Sequence, residues 1–194
     1  CVKILQEDKY SLQPTRLNIT NHYHNVNMNS YYKRDRSFLF DKSNLYLKFV
    51  LNYPPYDIKY ASCLRLYIFA LFHRLRNSFY EESLRGNSFQ IITNANGFTL
   101  KLFSFSSNLR ELTLNTLEQM KNLNLTENNF ITARDDMLIQ LQSQTNLEPL
   151  STAYVTFFNL LKKSNISQKD LVNYLQKELT FEQFNSFCNE MYNS

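Results

Sequence analysis

Glycine is almost missing from this 194-residue chain, which holds only Gly86 and Gly97. Loops that cradle phosphate need several glycines for positive φ and close backbone approach, so the scarcity argues against nucleotide-binding loops. The patterns G-x-S-x-G, G-x-x-x-x-G-K and G-x-G-x-x-G are all absent, and so is tryptophan. Cysteine occurs three times, as Cys1, Cys63 and Cys188, far apart and without a C-x-x-C. An odd, scattered set does not make a disulfide framework; it reads as reduced, partly buried thiols, with a cytoplasmic location expected. No apolar run approaches the roughly 20 residues that span a bilayer. The longest, Leu64 to Phe72, is broken by Arg65 and reads as a buried helix. Val2 to Tyr10 mixes charge with apolar residues, unlike a secretory leader. The first residue is Cys1 and not Met, so the chain is expected to begin inside something longer, or after processing.

No sign of charge dominates either: 21 Lys and Arg stand against 17 Asp and Glu, for a net +4. That spread favours solubility over nucleic-acid binding, which wants a concentrated basic stripe. Lys33, Arg34 and Arg36 are offset by Asp35 and Asp41. Neither nucleic acid nor membrane is expected as a partner. Three N-x-S/T sequons, at Asn18, Asn124 and Asn165, arise easily in so Asn-rich a chain. With 43% hydrophobic and 20% charged residues, the composition is that of a globular protein. At this length a chain buries roughly 70% of its unfolded surface, enough for a proper core.

Residues 1–29 alternate Asn and His with scattered apolar positions and read as an irregular, extended lead-in. Tyr31 to Phe40 has room for an edge strand. Leu45 to Tyr53 alternates Leu45, Leu47, Phe49 and Leu51 with Tyr46, Lys48, Val50 and Asn52, a period of two. Pro54-Pro55 stops that strand, because proline lacks the N–H a ladder needs. Asp57 is placed to cap a helix from Ile58 to about Leu84, with Gly86 as its C-terminal cap. Ser88 to Thr93 and Phe98 to Phe105 read as strands joined by the Asn94-Ala95-Asn96-Gly97 turn.

Helices follow. One runs from Ser107 or Asn108 through Met120, and one from Thr126-Glu127 to about Gln142. A third passes through Tyr154 and Leu161, and a fourth, capped by Ser167, covers Gln168 to Leu179. The last, Phe181 to Tyr192, begins at a capping box of Thr180 and Gln183. Strand, long helix, hairpin and then helices predict an α+β domain: an antiparallel sheet covered on one side by helices, with a helical C-terminal half.

Chemistry-bearing side chains are sparse. H-x-x-E-H and H-E-x-x-H are absent. His22 and His24 form an H-x-H pair with no third ligand nearby in sequence, so they read as surface residues; zinc needs three or four ligands. His73 falls late in the long helix. Glu81 and Glu82 are adjacent on a helix and point about 100° apart, so they cannot act as an acid/base pair. Glu82 with Arg85 at i, i+3 reads as a surface ion pair, and Asp135-Asp136 as solvated charge. No cysteine lies beside a histidine in sequence. The residues alone thus give an α+β domain with no catalytic, cofactor-binding or metal-binding residue to name.

The stretch Leu71 to Phe89 resembles the middle region of the insulinase, or pitrilysin-type, zinc metallopeptidase family, whose pattern is L-x-x-x-L-x-x-x-x-Y-x-A-x-x-A-G-L-x-Y. Leu71, Leu75, Tyr80, Leu84, Gly86 and Phe89 follow it, while Glu82 and Arg85 stand where the family prefers small alanines. Upstream, Phe38-Leu39-Phe40 through Phe49-Val50-Leu51-Asn52-Tyr53-Pro54 is similar to that family's preceding strand. Downstream, Gly97-Phe98-Thr99-Leu100-Lys101-Leu102 resembles G-x-x-L-x-V-x-G-F, with Ser104-Phe105 in place of the final pair. Leu117 to Met120, Phe130 to Arg134, Ser167 to Leu171 and Leu179 to Phe184 continue the collinear likeness, which covers roughly residues 30–192.

The resemblance implies a single middle (third) domain over 30–194, after a lead-in of 1–29, in a peptidase whose four α+β domains close around a chamber. Zinc is expected in the parent's catalytic domain and not in this fragment. The helix that carries zinc ligands in the catalytic copy corresponds to Arg65 to Phe72 here, which offers none. The implied role is a non-catalytic wall of a chamber that degrades peptides. Implied partners are the parent's other domains and peptide substrates; a homo-oligomer is compatible with this. Two other readings stay open: a degenerate stand-alone copy serving as a protein-interaction module, and an unrelated helical adaptor. The adaptor would not join Leu45 to Tyr53 and the hairpin in one sheet.

Overall fold

The computed structural model describes residues 15–18, 29–32, 41–54, 57–94, 96–143, 153, 157 and 166–193. The chain divides into two compact units, Cys1–Asp41 and Lys42–Ser194.

In the first unit, β1 (Thr15–Asn18) pairs antiparallel with β2 (Asn29–Tyr32), Thr15 opposite Tyr32 and Asn18 opposite Asn29. The stretch expected to be irregular therefore contains one strand and the start of a second. Four residues are too few for an alternation to be read, and it is pairing that makes them a strand. Residues 33–40, the remainder of the expected edge strand, lie outside the described residues, as do Cys1, His22 and His24.

In the second unit, β3 (Lys42–Val50), β4 (Ser88–Asn94) and β5 (Gly97–Phe105) form an antiparallel sheet in the order β3-β5-β4. The Leu45 strand and the hairpin share one sheet, so the helical-adaptor reading falls. Opposite residues share a face, and the register sets Leu45, Leu102 and Phe89 in one row and Leu47, Leu100 and Ile91 in the next. Leu100 and Leu102 are fully buried under the helices. Phe49 stacks on Phe98 with ring centroids 4.7 Å apart. Gly97, at φ 142°, turns the chain between β4 and β5 in a conformation that L side chains rarely adopt. The turn is tied back to β3 by the Leu51 N–H, which donates to the Asn96 carbonyl at 2.8 Å.

Helix α1 (Ile58–Ser78) starts at Asp57, whose side chain accepts from the Lys59 N–H at 2.8 Å. Its buried face, Cys63, Leu64, Leu66, Tyr67, Ala70, Leu71 and Leu75, recurs at helical spacing. The expected single helix to Leu84 is two: α1 ends at Ser78, and a short α2 (Tyr80–Leu84) follows. Between them Phe79 leaves helical geometry at φ −87°, ψ 1°, and its ring is buried 4.7 Å from that of Phe89. The Phe79 N–H still bonds the Leu75 carbonyl at 2.7 Å and its carbonyl accepts from the Ser83 N–H at 2.8 Å, so the bend keeps both bonds while burying a phenylalanine, worth roughly 1.5–3 kcal/mol. After α2 the Gly86 N–H bonds the Ser83 carbonyl and the Asn87 N–H bonds the Glu82 carbonyl, both at 3.0 Å, with Gly86 at φ 82°. That double closure satisfies the carbonyls a helix leaves open at its end.

The helical half comprises α3 (Leu109–Lys121), α4 (Glu127–Ser143), α5 (Gln168–Lys177) and α6 (Phe181–Asn193). Ser167 caps α5 by accepting from the Asp170 N–H at 3.1 Å. The capping box at α6 is reciprocal: Thr180 N–H to Gln183 Oε1 at 3.2 Å, and Gln183 N–H to Thr180 Oγ1 at 3.3 Å. α1 packs against α3, α4, α5 and α6 as the central element of this layer. Arg74 pins it to α3, donating to Gln119 Oε1 and the Asn122 carbonyl, each at 2.8 Å. Of the helix expected through Tyr154 and Leu161, only Ala153 and Phe157 are described, both helical. Sheet on one side and helices on the other make this an α+β fold with a helical C-terminal half.

Candidate functional site

His73 lies exposed near the end of α1, its ring 4.5 Å from Phe69 and edge-on to Phe72 at 6.0 Å. Among the described residues no three His, Cys, Asp or Glu side chains come together in a way that could hold a metal. The segment Arg65 to Phe72 presents Leu66, Tyr67, Ala70 and Leu71 to the core, so that face of α1 is apolar and offers zinc no donor. The residues here do not fit a zinc centre. Arg65 is half-buried, and loss of solvent pulls its guanidinium pKa below the usual value.

Cys63 and Cys188 are both buried free thiols. Burial is the main cause that pushes each up to about 12, so neither carries thiolate near neutral pH. A nucleophilic role needs the opposite environment.

Glu82 is a structural anchor. Its Oε1 accepts from Arg85 at 3.0 Å and its Oε2 from the Asn87 amide at 2.6 Å. The ion pair at i, i+3 forms as the spacing predicts, and Asn87, fully buried behind it, adds a bond that spacing does not reveal. Asp135 pairs with Arg134 at 3.1 Å on the surface of α4.

The outward face of the sheet was not legible as a unit in the sequence. The register brings Lys42, Tyr46, Lys48 and Val50 of β3 beside Thr99, Lys101, Phe103 and Phe105 of β5, with Ser88, Gln90 and Ile92 of β4 beyond. Val50 is 67% exposed, Tyr46 56%, and Phe103 and Phe105 39% each, far more than the buried inner rows. Lys42 Nζ sits 5.4 Å from the Phe105 ring centroid and Lys101 Nζ 5.3 Å from that of Tyr46. No aspartate or glutamate occupies a strand position on this face. The signal was the alternation of Lys with aromatics in two separate segments.

Among the described residues no helix is long and apolar enough to cross a membrane. A crystal structure of pitrilysin is similar to this fold, with a TM-score of 0.82 and 16% identity over 96% of this chain. The chain spans 19% of that pitrilysin chain, and at this identity the likeness speaks to fold. No curated protein sequence matches the chain. Over residues 6–174 the sequence matches the family described as the middle or third domain of peptidase M16. That match begins well inside the stretch read as a lead-in and covers most of the chain; the chain belongs to the middle-domain family of the M16 peptidases.

Proposed function

We propose that this domain is a non-catalytic wall of the substrate chamber of an insulinase-like zinc metalloendopeptidase that degrades peptides. The carrying observation is the membership in the M16 middle-domain family, over residues 6–174. The packing of α1 supports it: the helix that would bear zinc ligands in a catalytic copy buries Leu66, Tyr67, Ala70 and Leu71 in its own core. In this reading zinc sits in another domain of the parent, where it would activate water and polarise the scissile carbonyl. This chain then supplies rigid surface and contacts to its neighbour domains, in a cytoplasmic enzyme.

The test is peptide hydrolysis by the 194-residue chain and by its full-length parent, each with and without a zinc chelator. A silent chain beside a chelator-sensitive parent is expected. Metal-dependent hydrolysis by the chain alone would overturn the reading and turn attention to His22, His24 and His73. A parent without activity would favour a stand-alone interaction module.

A further inference from the structure

We infer that the open face of the β3-β5-β4 sheet is a binding surface for extended acidic peptide segments, with Lys42, Lys48 and Lys101 as its charge-reading residues. The inference rests on the chamber reading for the source of the peptide.

Three observations carry it. First, the face is charged with one sign. Lys42 and Lys48 lie on β3 and Lys101 on β5, on the same side, and every other strand position of that side is neutral. None of the three lysines makes an ion pair among the described residues. Secondly, apolar side chains share the face with them: Tyr46, Phe103 and Phe105, with Val50 past Lys48, are all more than a third exposed. Such a patch on a sheet marks an interaction surface. Thirdly, the spacing suits a strand-like ligand. Lys42 and Lys48 are six strand positions apart, about 20 Å at the usual rise. Tyr46 faces Lys101 across the strands, so Lys101 lies diagonal to Lys48. A peptide running beside β3 would meet two ammonium groups at one end and one at the other, with apolar ground between.

The aromatic rings pre-position the charge. Two of the three ammonium groups already sit over rings, Lys42 on Phe105 and Lys101 on Tyr46. Less side-chain freedom is then lost when a carboxylate arrives. A single-stranded nucleic acid fits less well. Its backbone wants a dense basic track, whereas this face has three spread charges, and of its exposed rings Tyr46 and Phe105 already lie under lysine ammonium groups, leaving Phe103 to stack a base.

The experiment is fluorescence anisotropy with a labelled 12-residue peptide alternating Glu with Leu or Val, against the same peptide with Lys for Glu, and a dT12 oligonucleotide. It uses the 194-residue chain, the triple variant K42Q/K48Q/K101Q and a control triple, K121Q/K169Q/K177Q, on the helices. The acidic peptide is expected to bind at least tenfold tighter than its lysine counterpart. The sheet triple should lose about tenfold, as three partly exposed ion pairs allow, and the control less than twofold. Binding should weaken with salt. Equal losses in both triples, or tighter binding of dT12, would overturn the inference.

The full-length parent separates the two readings. There the sheet triple should raise KM for an acidic substrate with kcat unchanged and leave a neutral substrate alone. Unchanged KM values with a lowered Tm would mean that a neighbouring domain covers this face, and the inference falls while the peptidase reading stands. A parent without hydrolysis, beside a chain that still binds the acidic peptide through these lysines, would sink the chamber reading and leave the binding surface intact.

Discussion

The Phe49 carbonyl oxygen occupies the space that a β-carbon on Gly97 would need. Gly97 begins β5 at φ 142°, with the carbonyl carbon of Phe49 3.1 Å from that would-be atom and the Leu51 nitrogen at 3.3 Å. One residue therefore permits both the hairpin turn and the close approach of β3 to β5.

Gly97→Ala should consequently be far costlier than Gly86→Ala. Gly86 has φ 82° but nothing within 4 Å of an added β-carbon, so only backbone strain of about 1–2 kcal/mol is expected there. At Gly97 the strain of about 1–3 kcal/mol combines with a clash against backbone that cannot swing aside. Urea unfolding of the two variants should show the difference. Equal losses would mean that β3 moves away without cost.

Glu82 should matter through Asn87 more than through Arg85. Arg85 is 65% exposed, so Arg85→Ala should change stability by less than about 1 kcal/mol. Glu82→Ala strands the fully buried Asn87 amide, which should cost roughly 1–3 kcal/mol. Replacing Asn87 by Ala as well should recover part of that loss, which a double-mutant cycle measures.

Phe98 and Phe103 are five positions apart on β5 and face opposite ways. Phe98 is 1% exposed, stacks on Phe49, and lies with its centroid 6.2 Å from that of Tyr67. Phe98→Ala should cost about 3–5 kcal/mol by opening a cavity. Phe103→Ser, on the outward face, should fall within about 1 kcal/mol of wild type. Thermal unfolding checks both.

The two buried thiols predict a stability that fails at high pH. Burial raises Cys63 and Cys188 from 9.0 to about 12 in the folded chain. Below pH 9 both states hold these protons, so the thiols add no pH dependence. Between pH 9 and 12 the unfolded chain loses protons that the folded chain keeps, so stability should fall as pH rises. Ellman's reagent at pH 8 should leave both thiols unmodified in the native chain and label them on unfolding. Rapid native labelling of either would contradict their burial.

Much of this architecture is written in short-range signals. Asp57, Ser167 and the Thr180–Gln183 box act within three residues of the helices they start, so the sequence alone placed those starts. Asn96-Gly97 is equally local, because the turn it permits follows from backbone sterics. The alternation in Leu45 to Val50 and Phe98 to Phe105 reveals strands and their inner faces for the same reason: a period of two sorts side chains before any partner is known. Those local signals reach only the fold class; it is the collinear likeness of residues 30–192 to the family's motifs that points to the M16 middle-domain family.

Other features depend on residues far apart in the chain. The break at Phe79 exists because Phe89 waits on β4, and no propensity within 58–84 announces it. Thr15–Asn18 is a strand only through Asn29–Tyr32. Asn87 looks like an ordinary loop residue until it is found buried against Glu82. The gathering of Lys42, Lys48 and Lys101 on one open face follows from strand order and register, which pair Tyr46 with Lys101 across more than fifty residues. A one-residue slip would send each strand's side chains to the other face, so hydrophobic burial selects the register and the lysines are carried with it.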